Sequence, residues 1–307
     1  MDHQYFCGWD GGGTKTEVCL VNEAGAMIAC RSFGPLNING ASQATVRQSV
    51  RDAVDFMASQ PGGLSACGGL VIGMAGASNQ DAVRLMESAV RNAGYQGSLH
   101  IRGDQEIALE GAVQGHGAVL IAGTGAICFG RDPAENRFRV GGYGYLIDDG
   151  GSGYAIGRDI LAAAARAVDG RGPDTCLKDM VFDALHVQDM PGVITWLYGP
   201  QTGKKEIAAL APLLLPALEA EDEAALEIAQ TAAVDLAELV IAGWRKTGMR
   251  DGELALMGSI LTRYAPIRRL VEERLRSALP LLHVAPPRAS AAWGAAMLAM
   301  REYVDHK

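Results

Sequence analysis

Trp9-Asp10-Gly11-Gly12-Gly13-Thr14-Lys15-Thr16 joins two strand-like runs, Tyr5–Trp9 and Thr16–Val21. This context predicts a glycine-rich turn between two strands, with an aspartate at its mouth. Because glycines let backbone N–H groups approach an anion closely, consecutive N–H groups can form a concave anion nest. Asp10 could hold a hydrated metal beside that anion. An ordinary hairpin turn uses the same residue types, so this segment alone does not decide between the two interpretations.

A second segment repeats this plan. The apolar run Val119–Ala122 leads into Gly123-Thr124-Gly125, and a second strand-like run, Ala126–Gly130, follows. Two Gly/Thr hairpins in corresponding places indicate two related halves, each offering one clamp for a phosphate chain. The similarity between the halves is weak at the residue level and indicates architecture only.

Composition limits the classes of function. The chain has 307 residues, enough for two domains with a substantial core. With 27 basic and 35 acidic side chains its formal charge is −8, which argues against nucleic-acid binding but not against a polyanion bound as its magnesium salt. We see no signal peptide and no apolar stretch that could span a bilayer, so we expect a cytoplasmic protein with no membrane partner.

The cysteines bear on compartment and cofactor. The six are Cys7, Cys19, Cys30, Cys67, Cys128 and Cys176. None forms a Cys-x-x-Cys pair and most lie in apolar runs, a pattern typical of reduced, buried thiols in a cytoplasmic protein. No spacing requires a zinc or iron–sulfur site, although a cluster shared between subunits stays open.

Strand-like runs alternate with helical ones. We predict strands at Tyr5–Trp9, Thr16–Val21, Met27–Ser32, Gly69–Met74, Leu99–Arg102, Ala118–Ala122, Ile127–Arg131, Arg137–Val140, Leu254–Met257 and Leu281–Val284. We predict helices at Ala44–Ser59, Asp81–Ala93, Gln105–Val113, Tyr154–Val168, Thr175–Leu185, Glu206–Leu218, Glu223–Lys246, Ala265–Ala278 and Ala289–Tyr303, with N-caps at Ser42 and Asn79. Three strands in hairpin succession, then alternating strands and helices, predict a mixed sheet covered by helices.

Asp104 is the first candidate for chemistry outside the turns. It follows the predicted strand Leu99–Arg102 and precedes a helix, and ligand sites in open α/β sheets lie at the carboxyl ends of strands. A carboxylate there can accept the proton of a hydroxyl that attacks a phosphoryl group. The alternative is that Asp104 is only a helix N-cap, which position alone favours.

Two further glycine-rich segments are candidates for ligand contacts. Residues 141–153 are dense in glycine, which suggests a backbone shaped for a ligand, with Asp149 placed to bind sugar hydroxyls and two tyrosines able to wall a pocket. The alternative is a long flexible turn, and we favour the ligand. Gly258, after a strand, leaves room for a flat base or ribose, but a helix that begins with Ser259 as its cap fits equally well.

In their order along the chain these motifs resemble a known family. They are Asp-Gly-Gly-Gly-Thr-Lys-Thr at 10–16, Gly-Asp at 103–104, Ala-Gly-Thr-Gly at 122–125, Gly-Gly-Tyr-Gly-Tyr at 141–145 and Gly-Ser at 258–259. The order resembles the sugar-kinase, actin and heat-shock ATPase superfamily. Within it, the chain is similar to the N-acetylglucosamine kinase branch, which is grouped with the BadF/BadG-type ATPases, over nearly its whole length.

The resemblance implies an α/β fold of two ribonuclease H-like domains of the actin-like ATPase type. Each would hold a mixed sheet flanked by helices, with a nucleotide cleft between the domains. The first would comprise residues 1–116 plus 289–307, and the second residues 117–288 with helical insertions. The resemblance also implies a homodimer.

The same resemblance implies roles for individual residues. Asp104 would be the catalytic base, and Asp10 would order the hydration shell of magnesium. ATP phosphates would be bound by Asp10, Gly12, Gly13, Thr14, Gly123, Thr124 and Gly125, and adenosine by Gly258 and Ser259. The sugar would be bound by Asn37, Asp104, Gly142, Tyr143 and Asp149.

We therefore predict an ATP- and Mg²⁺-dependent kinase acting on O6 of an amino sugar, most simply N-acetylglucosamine. The chain departs from the family pattern at Ala126, where a serine is common, and at Asp148-Asp149-Gly150-Gly151, where Gly-Asp-Glu-Gly is common. Both departures concern substrate identity.

Glucosamine is the alternative substrate, because its ammonium would be attracted to two aspartates. The alternative from another class is an activator ATPase of a dehydratase, whose intersubunit iron–sulfur cluster Cys128 and Cys176 could ligate.

Overall fold

The computed structural model describes residues 5–36 and 42–305, so that Asn37 lies outside the described residues. The strands in this part of the chain are β1 Tyr5–Gly11, β2 Thr16–Val21, β3 Met27–Phe33, β4 Cys67–Met74, β5 Leu99–Gly103, β6 Gly117–Ala122, β7 Ala126–Arg131, β8 Arg137–Gly141, β9 Gly252–Met257 and β10 Leu282–Ala285. The α-helices are α1 Gln43–Ala58, α2 Gln80–Asn92, α3 Asp104–Ala112, α4 Gly153–Val168, α5 Cys176–Leu185, α6 Met190–Leu197, α7 Lys204–Ala208, α8 Leu214–Glu219, α9 Glu223–Thr247, α10 Ser259–Arg263, α11 Ala265–Ala278 and α12 Ala291–Asp305.

The chain divides into two compact units, one of residues up to 114 together with 286 onward, and one of residues 115–285. Each contains one five-stranded sheet, with strand orders β3-β2-β1-β4-β5 and β10-β9-β6-β7-β8. In the first sheet β1 is antiparallel to β2 and parallel to β4. In the second, β6 is antiparallel to β7 and parallel to β9. The second sheet thus repeats the first strand for strand, and the predicted mixed-sheet α/β fold class is confirmed.

The first sheet is covered on both faces because its central strand is apolar on both sides. Tyr5, Cys7 and Trp9 of β1 pack in one buried cluster with residues of α1 and α2. On the other face, Phe6 packs in a cluster with α3 and α12. Gly8 shares that second face, and a Cβ there would lie 2.1 Å from the backbone nitrogen of Ala296 in α12. Since strand side chains alternate, Asp10 follows Phe6 and Gly8 on the α3 and α12 face.

The second unit has one large core in which α9 packs on β6, β7 and β8. The single helix predicted over Glu206–Leu218 is wrong: the structure has α7, a 3₁₀ turn at Ala211–Leu213 and α8. Pro212 and Pro216 explain the interruption, because proline lacks the N–H that continues a helix. Helix α6 was missed, although Asp189, which accepts from the Gly192 N–H at 3.0 Å, and a proline in the first turn are helix-start signals.

Both predicted N-caps are confirmed. The Ser42 hydroxyl accepts a hydrogen bond from the Thr45 N–H at 3.1 Å, at the start of α1. The Asn79 side chain accepts from the backbone N–H of Asp81 at 2.9 Å, at the start of α2. These short polar side chains satisfy N–H groups that have no partner within the first helical turn.

The expectation that all six cysteines are reduced is wrong for one pair. Cys19 on β2 is the register partner of Cys30 on β3, and the two form a disulfide. The sequence pattern identified both strands but not which residues face each other across them. Glu17 lies beside this pair, but cysteines joined in a disulfide offer no thiolate, so the three residues do not form a metal site. No α-helix in the described part of the chain is both long and apolar enough to cross a bilayer.

Candidate functional site

Three parallel strands bring two carboxylates to one edge of the first sheet. Gly11 at the end of β1 and Gly103 at the end of β5 both pair with Met74 on the intervening β4. Neighbouring strands are about 4.8 Å apart, so these two positions are roughly 10 Å apart across the sheet. Asp10 and Asp104 adjoin them and therefore lie on either side of the same strand end, as expected for a ligand site in an open sheet.

Asp104 is the first residue of α3, and Gly103 is the N-cap. The interpretation that Asp104 is merely the helix N-cap is therefore wrong. The Glu106 side chain accepts a hydrogen bond from the backbone N–H of the N-cap Gly103 at 3.2 Å. One Asp104 carboxylate oxygen accepts from the Gln105 N–H at 3.0 Å. Desolvation by the surrounding protein raises the pKa of Asp104, and this hydrogen bond partly offsets the rise.

Asp10 is the most perturbed carboxyl of this edge. Burial, followed by the negative charges of Asp104 and Glu17, raises the pKa of Asp10 to about 6, while Lys15 acts in the opposite direction. No salt bridge to Asp10 is formed by residues 5–36 and 42–305. A divalent cation would relieve this concentration of negative charge, and Mg²⁺ commonly uses one or two carboxylates while keeping several waters. The donor set at this edge therefore fits hydrated magnesium.

The β1–β2 turn, where we predicted a phosphate clamp, is closed by a hydrogen bond of its own. The Gly12 N–H donates to the Lys15 carbonyl at 3.0 Å, and a Cβ at Gly12 would lie 2.8 Å from that oxygen. This N–H is therefore already engaged within the turn. Gly13 and Thr14 are exposed, so their backbone and the Thr14 hydroxyl are the groups that can meet an anion.

The β6–β7 turn is built as a tighter loop. The Gly123 N–H donates to the Gly125 carbonyl at 2.9 Å, and the Gly123 carbonyl accepts from the Gly153 N–H of α4 at 2.7 Å. Thr124 at the tip is exposed. The turn is thus anchored to the start of α4, where Ser152 caps the helix by accepting from the Ala155 N–H at 3.2 Å.

Asp149 lies directly against this second turn. It has the left-handed φ of +66°, which is uncommon outside glycine and typical of positions with a special role. Its side chain is only 3% exposed, accepts from the Ala126 N–H at 3.1 Å and forms a salt bridge with Lys204 at 2.8 Å. Our reading of the sequence missed Lys204, because it belongs to no motif and lies 55 residues further along the chain.

The glycine-rich loop between β8 and α4 is held by internal contacts and is not a loosely structured turn. The Tyr143 N–H donates to Asp148 at 3.0 Å, and the Arg139 guanidinium lies 5.0 Å from the Tyr143 ring centre, beside Gly142. Tyr143 remains 65% exposed. Tyr145 packs edge-on against Tyr154, with ring centres 4.8 Å apart.

Gly258 is required by the backbone itself. It has a φ of +86°, and a Cβ there would lie 2.3 Å from the carbonyl oxygen of Ala122 at the end of β6. Gly258, not Ser259, is the N-cap of α10, so the alternative in which Ser259 caps this helix is wrong. Ser259 is exposed at the first helical position. Close packing of two strand ends is sufficient to explain the glycine, and the sequence did not reveal this reason.

Comparisons with known proteins place this geometry in context. Over 303 residues the chain is 29% identical to an N-acetylmuramic acid/N-acetylglucosamine kinase of Clostridium acetobutylicum, with 97% of this chain and 99% of the relative covered. It is 28% identical over 315 residues to an N-acetyl-D-glucosamine kinase of Dictyostelium discoideum, with coverages of 98% and 99%. It is 29% identical over 264 residues to the glucosamine kinase GspK of Vibrio cholerae, with coverages of 84% and 86%.

The fold has close counterparts among solved structures. A candidate N-acetylglucosamine kinase from Chromobacterium violaceum superposes with a TM-score of 0.76 at 23% identity, covering 96% of this chain and 99% of that one. The model of the BadF/BadG/BcrA/BcrD ATPase family matches residues 7–299. This match covers nearly the whole chain and confirms the resemblance that the motifs indicated. The protein belongs to the BadF/BadG/BcrA/BcrD ATPase family.

Proposed function

We propose that this protein transfers the γ-phosphoryl group of ATP to O6 of an amino sugar, with N-acetylglucosamine as the substrate and N-acetylglucosamine 6-phosphate as the product. The observation that carries the proposal is the pair Asp10 and Asp104 at one strand edge, both with raised pKa values. Two kinds of carboxylate are needed for phosphoryl transfer, one near the metal and one near the attacking hydroxyl. Three kinases that act on amino sugars are 28–29% identical to this chain, over 84–98% of its length.

In this mechanism Asp104 accepts the proton of the sugar 6-hydroxyl as O6 bonds to the γ-phosphorus. The bond from that phosphorus to the β,γ-bridging oxygen breaks, and ADP leaves with the electron pair. A base is most effective when its pKa lies near the working pH, so the raised pKa of Asp104 suits this role. Magnesium held through water by Asp10 would neutralise phosphate charge.

The remaining site residues divide between the two ligands. We assign ATP phosphates to Asp10, Gly12, Gly13, Thr14, Gly123, Thr124 and Gly125, and adenosine to Gly258 and Ser259. Because the Gly12 N–H is engaged with Lys15, the Gly12 contribution is shape, which allows the turn to form. We assign the sugar to Asn37, Asp104, Gly142, Tyr143 and Asp149.

The contacts of the aspartates bear on the choice of sugar. The argument for glucosamine needs two unpaired negative charges, but Asp149 is paired with Lys204 and Asp148 accepts a backbone hydrogen bond from Tyr143. Before nucleotide binds, Asp149 is therefore not a free counter-ion for an ammonium group, whereas Asp148 keeps its negative charge. This favours an N-acetylated sugar, although the GspK relative is a glucosamine kinase.

The activator ATPase alternative requires thiolate ligands. Burial raises the pKa of Cys128 to about 12, and desolvation together with Asp222 raises the pKa of Cys176. Metal ligation needs the thiolate, which both environments disfavour. We therefore prefer the kinase.

We further propose that the protein is a cytoplasmic homodimer, and light scattering of the purified protein would test its oligomeric state.

The direct test is ADP production with Mg-ATP and, in turn, N-acetylglucosamine, glucosamine, N-acetylmannosamine, N-acetylmuramic acid, glucose or no sugar. We expect turnover that depends on the sugar and is highest with N-acetylglucosamine, and a product whose phosphate is on O6 by NMR. Highest kcat/KM with glucosamine would establish the alternative substrate. ATP hydrolysis that is independent of sugar, from a protein that contains iron, would support the activator ATPase instead.

A further inference from the structure

Lys204 is the one basic side chain of the described residues that contacts Asp149. Its ammonium donates a hydrogen bond to Asp149 Oδ2 at 2.8 Å and lies 5.6 Å from the ring centre of Tyr145. The Lys204 side chain is 29% exposed, whereas Asp149 is nearly fully buried. The carboxylate is therefore fixed and the ammonium is on the accessible side of the pair.

This ion pair lies on the backbone of the β6–β7 turn. A Cβ at Gly125 would be 3.0 Å from both carboxylate oxygens of Asp149 and 3.1 Å from Nζ of Lys204. A side chain at position 125 would require the pair to shift by a few tenths of an ångström. The Lys204 ammonium therefore lies close to the backbone of the turn, where glycine leaves room for the ion pair.

An anion that reaches the turn would compete for this ammonium. Lysine carries three N–H donors on a flexible stem, and Asp149 is its hydrogen-bond acceptor among residues 5–36 and 42–305. Phosphate oxygens form strong, charge-assisted hydrogen bonds with such a donor. When the ammonium turns towards phosphate, Asp149 Oδ1 stays bonded to the Ala126 N–H while Oδ2 loses its partner.

We propose that Lys204 is a positioning residue that couples the two substrates, an inference that rests on the proposed kinase function. Without nucleotide, Lys204 occupies the Asp149 oxygen that would accept a sugar hydroxyl. Nucleotide phosphate at the Gly123–Gly125 turn draws Lys204 away and makes Asp149 Oδ2 available to the sugar. By linkage, each ligand then strengthens the binding of the other by the same factor.

The test is calorimetric titration of N-acetylglucosamine into the protein with and without the magnesium salt of the β,γ-imido analogue of ATP. For the unaltered protein we expect the analogue to tighten sugar binding by about 5- to 150-fold, the usual range of coupling between sites. In Lys204→Met the factor should fall close to one. Lys204→Arg should restore part of it, and Lys205→Met, which changes the exposed neighbouring lysine, should leave it unchanged.

Lys204→Met leaves a buried carboxylate unpaired and could therefore destabilise the fold. A second variant separates this effect from a loss of coupling. The double variant Asp149→Asn/Lys204→Met removes both charges and retains an acceptor for the Ala126 N–H, and it should also show no coupling. A coupling factor that is unchanged in both variants would overturn the inference.

Failure of the inference can be told apart from failure of the proposed function. If the unaltered protein phosphorylates no amino sugar, the kinase assignment fails, and the affinity for the nucleotide analogue alone still tests Lys204. We expect this affinity to drop about tenfold in Lys204→Met, the order of one charged contact, and to be unaltered in Lys205→Met. Equal nucleotide affinity in both variants would show that Lys204 does not contact phosphate.

Discussion

The two units place a glycine turn at the same point of equivalent sheets, but they treat the neighbouring carboxylate differently. Beside the first turn, Asp10 lies near Asp104 and Glu17, and burial and these charges raise its pKa to about 6. Beside the second turn, Asp149 has its own lysine and a backbone N–H. The same strand topology thus supports one carboxylate suited to an external cation and one neutralised from within the protein.

The Asp104→Asn variant tests whether the two carboxylate sites differ in function, and we expect it to have the largest effect on turnover. If chemistry belongs to the first carboxylate edge, turnover should fall about 10²- to 10⁴-fold while sugar binding is largely retained. Steady-state kinetics and sugar titration measure the two quantities. Asp81→Asn is the matched control, because Asp81 is also in the first turn of a helix of this unit and is largely exposed. Undiminished turnover in Asp104→Asn would refute the base assignment.

Asp149→Asn tests whether the second carboxylate is compensated. Asparagine tolerates the left-handed backbone and can keep the Ala126 hydrogen bond, so the main loss is the ion pair with Lys204. We expect the free energy of unfolding to decrease by about 1–3 kcal/mol, since a charged hydrogen-bond partner is left without its counterpart. Urea denaturation measures this change. Equal or greater stability would mean that the pair contributes nothing.

Asp10→Asn should increase the free energy of unfolding, which is the opposite of the change expected for Asp149→Asn. The folded-state pKa of Asp10, about 6, lies above the ordinary value of 3.8, so ionising this group costs folding free energy. The cost is complete above pH 6 and diminishes as the pH falls towards 4. In chelator-treated protein the variant should therefore be more stable by about 1–2 kcal/mol at pH 8, and by less at pH 5. Loss of stability at pH 8 would contradict the picture of an uncompensated carboxylate.

Much of the fold was predictable because it depends on local signals. Short apolar or strand-like runs on either side of glycine turns predicted β1, β2, β6 and β7, and short polar residues predicted the caps of α1 and α2. The helix over Glu206–Leu218 was predicted wrongly because its apolar period continues through two prolines, whose effect on the backbone is stronger than periodicity.

The amino-acid sequence by itself determined the two glycine turns, the aspartates beside them and the family to which the chain belongs, because those features are contiguous and short in range. Only the tertiary structure decided which groups neighbour each carboxylate. Lys204 reaches Asp149 across 55 residues, Gly258 packs on Ala122, and Cys19 meets Cys30 through strand register. Charge compensation, close backbone approach and cross-strand pairing depend on distances in space, which sequence spacing does not fix.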